Sequence, residues 1–403
     1  MSTRTDPVDI YSPDWYASGD VHGTFAGLRR QGAVHWQDMP DEPGFWAVLR
    51  HAELAHVAKH PELFSASTQG IMLEDLAPEQ LEMVRHMLLA MDPPTHTAYR
   101  RPISPHFTAK VISAMEDQVR ARCRGILDRV DGEVDLVHDV AGPLPAQMIT
   151  DIMGLPEEDT DRIQRWAELM TGGQDSELAG DYDGNASIDM AMYAIEFAAR
   201  RRAEPRRDDI TSLLLETTYE DGRPMSDIDF GSFFVQLVTA GNDTTKTSMA
   251  AGTLELIRHP DEQALLRGDP GLIPGAVEEI VRFCNPLHYF RRTAVVDTEL
   301  GGTPIRAGDK VAMLYTSANR DELVFADPQR FDVRRSPNPH LSFGLGAHFC
   351  LGAHLARLEI RVFLEELLTT FPVLELAGEP VRIRSNLNNG YRHIPVRLAR
   401  SAG

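Results

Sequence analysis

Residues 341–359 read Leu-Ser-Phe-Gly-Leu-Gly-Ala-His-Phe-Cys-Leu-Gly-Ala-His-Leu-Ala-Arg-Leu-Glu, and Cys350 closes a loop that holds three glycines, Gly344, Gly346 and Gly352. Behind it, Leu351, Leu355, Leu358, Val362 and Leu367 fall on or near one stripe, which predicts a helix starting just after the cysteine. A sulfur at a helix N-terminus meets free amide groups and the positive end of the macrodipole, and both favour thiolate. The glycines let backbone approach a flat group closely. The stretch therefore predicts a buried thiolate held for a metal. A cysteine set between Phe349 and Leu351 without that spacing would be an ordinary packing residue.

The chain has 403 residues, 40 basic against 60 acidic, for a formal charge of −20. Such an acidic chain is a poor partner for nucleic acid or an anionic membrane. Three scattered cysteines, Cys123, Cys284 and Cys350, make no disulfide framework and fit a reducing cytoplasm. The first fifteen residues carry no apolar leader, and no run of about twenty apolar residues occurs, so no membrane anchor is expected.

The full spacing Phe343-x-x-Gly346-x-His348-x-Cys350-x-Gly352 resembles the haem-binding loop of the cytochrome P-450 superfamily. The resemblance extends over about residues 10 to 400. It implies a mainly α fold with small β-sheets (α+β), with the haem between a long central helix and the cysteine-loop helix. It implies one catalytic domain over 1–403, with a small β-rich N-terminal part over about 1–65. The cofactor would be haem b, with Cys350 as the iron's axial ligand and Phe343 and Gly344 beside it. The lack of an anchor resembles the bacterial members.

Further motifs follow in order. In Asp92-Pro-Pro-Thr-His96-Thr-Ala-Tyr-Arg100, His96 and Arg100 are i, i+4 on one helical face, suited to a carboxylate. Such a pair alone would more often be a solvated face. By resemblance, His96, Arg100, Arg292 and His348 hold the haem propionates. Residues 64–91 would roof the substrate pocket. Residues 171–188 are polar and glycine-rich, which predicts a mobile loop, by resemblance a lid.

Residues 226–259 form the longest helical pattern, with Ser226 and Asp229 spaced as a capping box and Phe230, Phe233, Phe234, Leu237, Val238 and Gly241 on an apolar stripe. In its middle, Ala240-Gly-Asn-Asp243-Thr244-Thr245 predicts a loosened turn. The string resembles the family's acid–alcohol pair, in which Thr244 would hydrogen-bond the dioxygen being activated and Asp243 would feed protons inward. Protonation needs a donor held close, not a strong nucleophile.

Glu279 and Arg282 are i, i+3 and, by resemblance, form a buried structural network completed by Arg330 of Pro328-Gln-Arg-Phe. The stretch Asn285–Thr293 would pass over the haem. Phe233, Val238, Ala240, Gly241, Leu287, Tyr289, Phe290 and Leu387 are the candidate pocket walls, and their apolar character fits a lipophilic substrate. The tip Ser385–Tyr391 would enter that pocket. Together these imply a monooxygenase that inserts one atom of O2 into a C–H bond of a sterol, terpenoid or fatty-acid-like molecule. Its electrons would come from NAD(P)H through a ferredoxin reductase and a ferredoxin docking near Arg101, Arg357 and Arg361. Rival readings are a natural-product tailoring hydroxylase or epoxidase, a peroxide-driven peroxygenase, and a non-catalytic haem or lipid binder.

Overall fold

A computed structural model describes residues 8–172, 174–219 and 222–400. The first seven residues of the N-terminal arm, and Gly173 of the 171–188 segment, lie outside it. Helices dominate, and small sheets flank them. The longest helix, Asp227–Arg258, starts as its sequence predicts: the Ser226 hydroxyl accepts from the Asp229 amide, and the Asp229 carboxylate accepts from the Ser226 amide. Its 32 residues span about 48 Å. It packs against the helices Pro143–Met153, Thr160–Thr171, Ala186–Arg202 and Ile273–Cys284. The stripe read as one face divides into two. Phe230, Phe234 and Val238, spaced by four, are sealed in the core, where the Phe234 ring lies near those of Tyr193 and Phe197. Phe233, Leu237, Ala240, Gly241 and Thr244 face a cavity instead. Val238 is thus a core residue and not a pocket wall, because one residue around the helix turns a side chain by about 100°. The helix also runs unbroken through 240–245, where a loosened turn was expected. There the Thr244 hydroxyl donates to the Ala240 carbonyl at 2.8 Å without displacing the helix.

The five-stranded sheet takes the order Val34–Gln37, Phe45–Val48, Lys310–Leu314, Tyr289–Ala294, Phe64–Ser65. Two of its strands come from the second half of the chain, so the β-rich N-terminal part is completed from 289–314. Strand parity decides which side chains reach the cavity. Phe290 and Arg292 point into it, with Met313 opposite Phe290. Tyr289 points the other way, into a cluster with Tyr16, Phe25 and Leu314, so it is not a pocket wall. Leu387 packs on that same cluster and is likewise outside the pocket lining.

The 171–188 segment is not a featureless loop. It contains a short helix, Ser176–Ala179, whose cap Asp175 is buried, pairs with Arg392 at 3.1 Å and accepts the Arg384 amide. Two helices, Ala109–Ser113 and Glu116–Leu127, meet at Ala114-Met115.

Glu279 and Arg282 are fully buried and joined by two 2.8 Å hydrogen bonds. The third member is Arg335 and not Arg330. The Arg335 Nε donates to both Glu279 oxygens at 3.2 and 3.1 Å, and its Nη groups donate to the carbonyls of Ala326, Asp327 and Arg330. The Arg330 side chain is 57% exposed, 3.9 Å from Glu262, and contributes its carbonyl. The backbone turns at Arg330-Phe331 so that Phe331 takes the buried position and the arginine points to water.

Candidate active site

Cys350 opens onto an apolar-lined cavity between the long helix and the helix Ala353–Thr370. The cysteine loop is fixed by backbone. The Cys350 amide donates to the Phe343 carbonyl at 2.7 Å. Gly344 and Gly346 take positive φ of 69° and 66°. A Cβ on Gly346 would lie 2.7 Å from the Ala58 carbonyl oxygen, so only glycine fits there. The helix begins three residues after the sulfur, with Gly352 at its cap. Burial raises the Cys350 thiol, while the Gly352 amide, Arg100 and Arg357 pull it down, and the net direction is upward. The helix terminus does not therefore make the thiolate by itself, contrary to the sequence expectation. A coordinating metal ion deprotonates such a thiol outright.

Four cationic or donor side chains share this cavity: His96, Arg100, Arg292 and His348. His96 sits on the short helix Thr95–Arg100, and its ring centroid is 4.4 Å from that of His348. Arg100 donates to the Ala347 carbonyl at 3.0 Å, and Arg292 to the Arg291 carbonyl at 2.8 Å. Burial, then Arg100 and Arg292, pushes His96 down to about 4. Burial, then Arg292 and His96, pushes His348 down to about 3. Both imidazoles are therefore neutral at pH 7. The nearby Asp92 is occupied by Ser65, Ser67 and the Ala66 amide. The His348 Nε2 is buried and has no partner. The buried Arg292 guanidinium, the half-buried Arg100 guanidinium, an orphaned imidazole nitrogen and a sulfur in the same cavity fit a flat metal macrocycle with two carboxylates, because a charge taken out of water needs a counter-charge.

On the long helix, Thr244 lines the cavity while Asp243 turns from it into a buried polar cluster. Lys246, i+3 from Asp243, lies 2.6 Å from its Oδ1 and 2.9 Å from the Glu168 Oε1. The hydroxyl of Thr171 and the amide of Asn388 both donate to the Asp243 Oδ2. Burial would lower the Lys246 ammonium, but Asp243 and Glu168 override it and hold the group charged. The sequence reading missed Lys246, although the i, i+3 spacing to Asp243 was visible. Asn388 puts the 385–391 tip against Asp243 and not inside the pocket.

The apolar lining of the cavity includes Ile71, Leu88, Leu89, Phe233, Leu237, Leu287 and Phe290, with Ala240 and Gly241 of the long helix. Gln236 was also missed. Its Oε1 accepts from the Leu89 amide at 3.2 Å, which leaves its Nε2 hydrogens for the cavity. The three arginines expected on the outer face are not bare cations. Arg357 pairs with Glu278 at 2.6 Å and Arg361 with Glu116 and Glu365, while Arg101 also has a partner.

A cysteine in an apolar cavity that also holds the Arg100 and Arg292 guanidinium groups and two neutral imidazoles defines a haem-thiolate type of site. Comparison with known proteins agrees. The family model for cytochrome P450 matches residues 272–392. The methyl-branched lipid omega-hydroxylase of Mycobacterium tuberculosis (strain ATCC 25618 / H37Rv) is 42% identical over 398 residues, 95% of this chain and 92% of that protein. The steroid C26-monooxygenase of Mycolicibacterium smegmatis is 37% identical over 380 residues, covering 91% and 88%. A Mycobacterium marinum cytochrome P450 solved in complex with pseudoionone superposes with a TM-score of 0.91 at 37% identity, over 99% of this chain and 100% of that one. The chain belongs to the cytochrome P450 family. It is an oxidoreductase of the monooxygenase type, its cofactor is haem b and its co-substrate is O2. Among the described residues, no helix is long and apolar enough to cross a membrane.

Proposed function

We propose that the protein hydroxylates the end of a branched aliphatic chain, in a fatty-acid-like, sterol or terpenoid molecule. The observation that carries this is the apolar lining of Phe233, Leu237, Leu287 and Phe290 in the same cavity as Cys350, with the small residues Ala240 and Gly241 on the long helix. Such a lining suits an aliphatic portion of the substrate beside the sulfur. The two relatives named for oxidation at a chain end agree with this reading.

In this scheme the Cys350 sulfur would hold the haem iron, with Phe343 and Gly344 beside the cofactor. His96, Arg100, Arg292 and His348 would hold the two propionates. The bound haem supplies the activation of dioxygen and the insertion of one oxygen atom into the C–H bond. The chain's residues orient, exclude water and move protons. Thr244 offers its hydroxyl, whose proton rests on the Ala240 carbonyl, to a group in the cavity. Asp243, with both oxygens engaged by Lys246, Thr171 and Asn388, passes a proton when its side chain rotates away from Lys246. Electrons arrive from NAD(P)H through a reductase and a small acidic ferredoxin that docks in the cytoplasm on the face bearing Arg101, Arg357 and Arg361.

The test is an optical titration of the ferric protein with methyl-branched fatty acids, sterols and acyclic terpenoids, followed by product analysis. A saturable spin-state shift with a branched-chain molecule and a terminal alcohol as product are expected. A shift only with polar or aromatic ligands, or oxidation in mid-chain, refutes the reading. Thr244→Ala should keep the shift and lose most product relative to electrons consumed.

A further inference from the structure

Away from the cavity, Asp135, His138 and His393 converge from three elements. Asp135 ends the strand Gly132–Asp135, His138 lies in the following π-helical turn Leu136–Ala141, and His393 ends the strand Tyr391–His393. One potential ligand atom from each lies within 4.8 Å of the others. We propose that these three side chains form a binding site for a divalent transition-metal ion of the zinc class, distinct from the haem site.

The chemistry of the three groups supports this. Asp135 is held rigidly: its Oδ1 accepts from the amides of Val137 and Ile394 at 2.9 and 3.2 Å. Its other oxygen, Oδ2, is 2.6 Å from the His393 Nδ1. Zinc bonds of roughly 2.0–2.2 Å at tetrahedral angles space their ligand atoms about 3.3 Å apart. A metal ion taking the place of the proton between Asp135 and His393 needs them to part by roughly 0.7–1 Å. The proton leaves to solvent. The His393 side chain is 49% exposed, so its ring is free to make that shift. His138 is oriented by a carbonyl: its Nε2 is 2.9 Å from the Arg392 oxygen, which accepts only, so Nε2 carries the hydrogen and Nδ1 keeps its lone pair. A histidine held by a carbonyl on its far nitrogen is the usual support of a metal-bound imidazole. The rings of His138 and His393 are 5.3 Å apart, centroid to centroid, and they flank the carboxylate. Two imidazoles and a carboxylate suit zinc, cobalt or nickel and do not suit magnesium or calcium, which prefer all-oxygen shells. Water would complete the coordination on the exposed side. A bound ion would tie the 391–393 strand to the π-helical turn, beside the tip that carries Asn388 to Asp243.

The test uses the haem-loaded protein, stripped with EDTA and titrated calorimetrically with zinc in a non-chelating buffer. One site is expected whose affinity falls about tenfold or more in His138→Ala and in His393→Ala. Thermal denaturation with and without zinc should show a rise in midpoint for the wild type and none for either variant. Both variants lie on the surface, so their folding is checked by an unchanged haem spectrum. The histidine pair His56 and His60, whose rings are 4.4 Å apart, is the competing site, and His60→Ala should leave the affinity unchanged. Wild-type protein that fails to bind zinc, or binding that survives both the 138 and 393 changes, overturns the proposal.

Discussion

Replacing Arg335 by alanine should destabilise the protein several times more than replacing Arg330. The Glu279 carboxylate has no exposure, and four neighbours hold it: Arg282, Arg335, the Asp332 amide and the Asn338 amide. Removing one partner of a buried ion pair costs ~3–5 kcal/mol when the remaining charge is stranded. Here Arg282 stays, which reduces the electrostatic part. Arg335→Ala also frees three carbonyls, those of Ala326, Asp327 and Arg330, on a side that water can reach. A net loss of about 3 kcal/mol follows, at the lower end of that range. An unfolding entropy of about 2.1 cal/mol/K per residue makes this a drop in Tm of roughly 3–4 °C for a chain this long. Arg330→Ala removes a 57% exposed side chain whose nearest carboxylate is 3.9 Å away, and it keeps the carbonyl that Arg282 uses. Its cost should stay within about 0.5 kcal/mol. Parallel thermal and urea denaturation of the two variants, with the haem absorbance as a second probe of the loop behind Cys350, makes the comparison. Equal losses, or a larger loss at Arg330, would refute the assignment of Arg335.

Lys246→Met leaves Asp243 and Glu168 buried without their cation, so it should cost about 3–5 kcal/mol in denaturation; Asp243→Asn in the same chain should recover part of this. Gln236→Leu should leave hydrocarbon binding intact and weaken ligands bearing a hydrogen-bond acceptor by about tenfold, the worth of one buried hydrogen bond, as read by optical titration. Glu359, fully buried on the cysteine-loop helix, is pushed by burial from 4.5 up to about 8. Between those values the unfolded chain has released the proton that the folded chain keeps. Stability due to Glu359 is therefore fully present below pH 4.5 and is lost as pH rises to about 8, at up to ~1.4 kcal/mol per unit. Glu359→Gln should flatten that slope in denaturation midpoints taken from pH 5 to 8, and an unchanged slope would exclude Glu359 as its source.

Local patterns were legible in the sequence. The cysteine loop is a run of backbone requirements a few residues long, and the capping box of Ser226 and Asp229 closes within one turn. The spacing of His96 and Arg100 also survived, since both line the cavity. The errors lie where a side chain's direction depends on an element's partner. Tyr289 and Phe290 are adjacent and apolar, and only the pairing of their strand with Lys310–Leu314 decides that Phe290 reaches the cavity. Phe233 and Phe234 divide in the same way around the long helix. Arg330 and Arg335 both follow Pro328 closely, and the turn between them decides which guanidinium reaches Glu279.

The sequence by itself determined the chemistry available to this protein: a cysteine before a helix, cations spaced for carboxylates, an acid beside an alcohol in a long apolar helix. Those signals are local, set by backbone geometry over a few residues. Only the tertiary structure decided which groups meet. Asn388 reaches Asp243 across 145 positions, and His393 reaches Asp135 across 258. Such contacts come from packing distant segments around one core, whose geometry no short stretch of chain encodes.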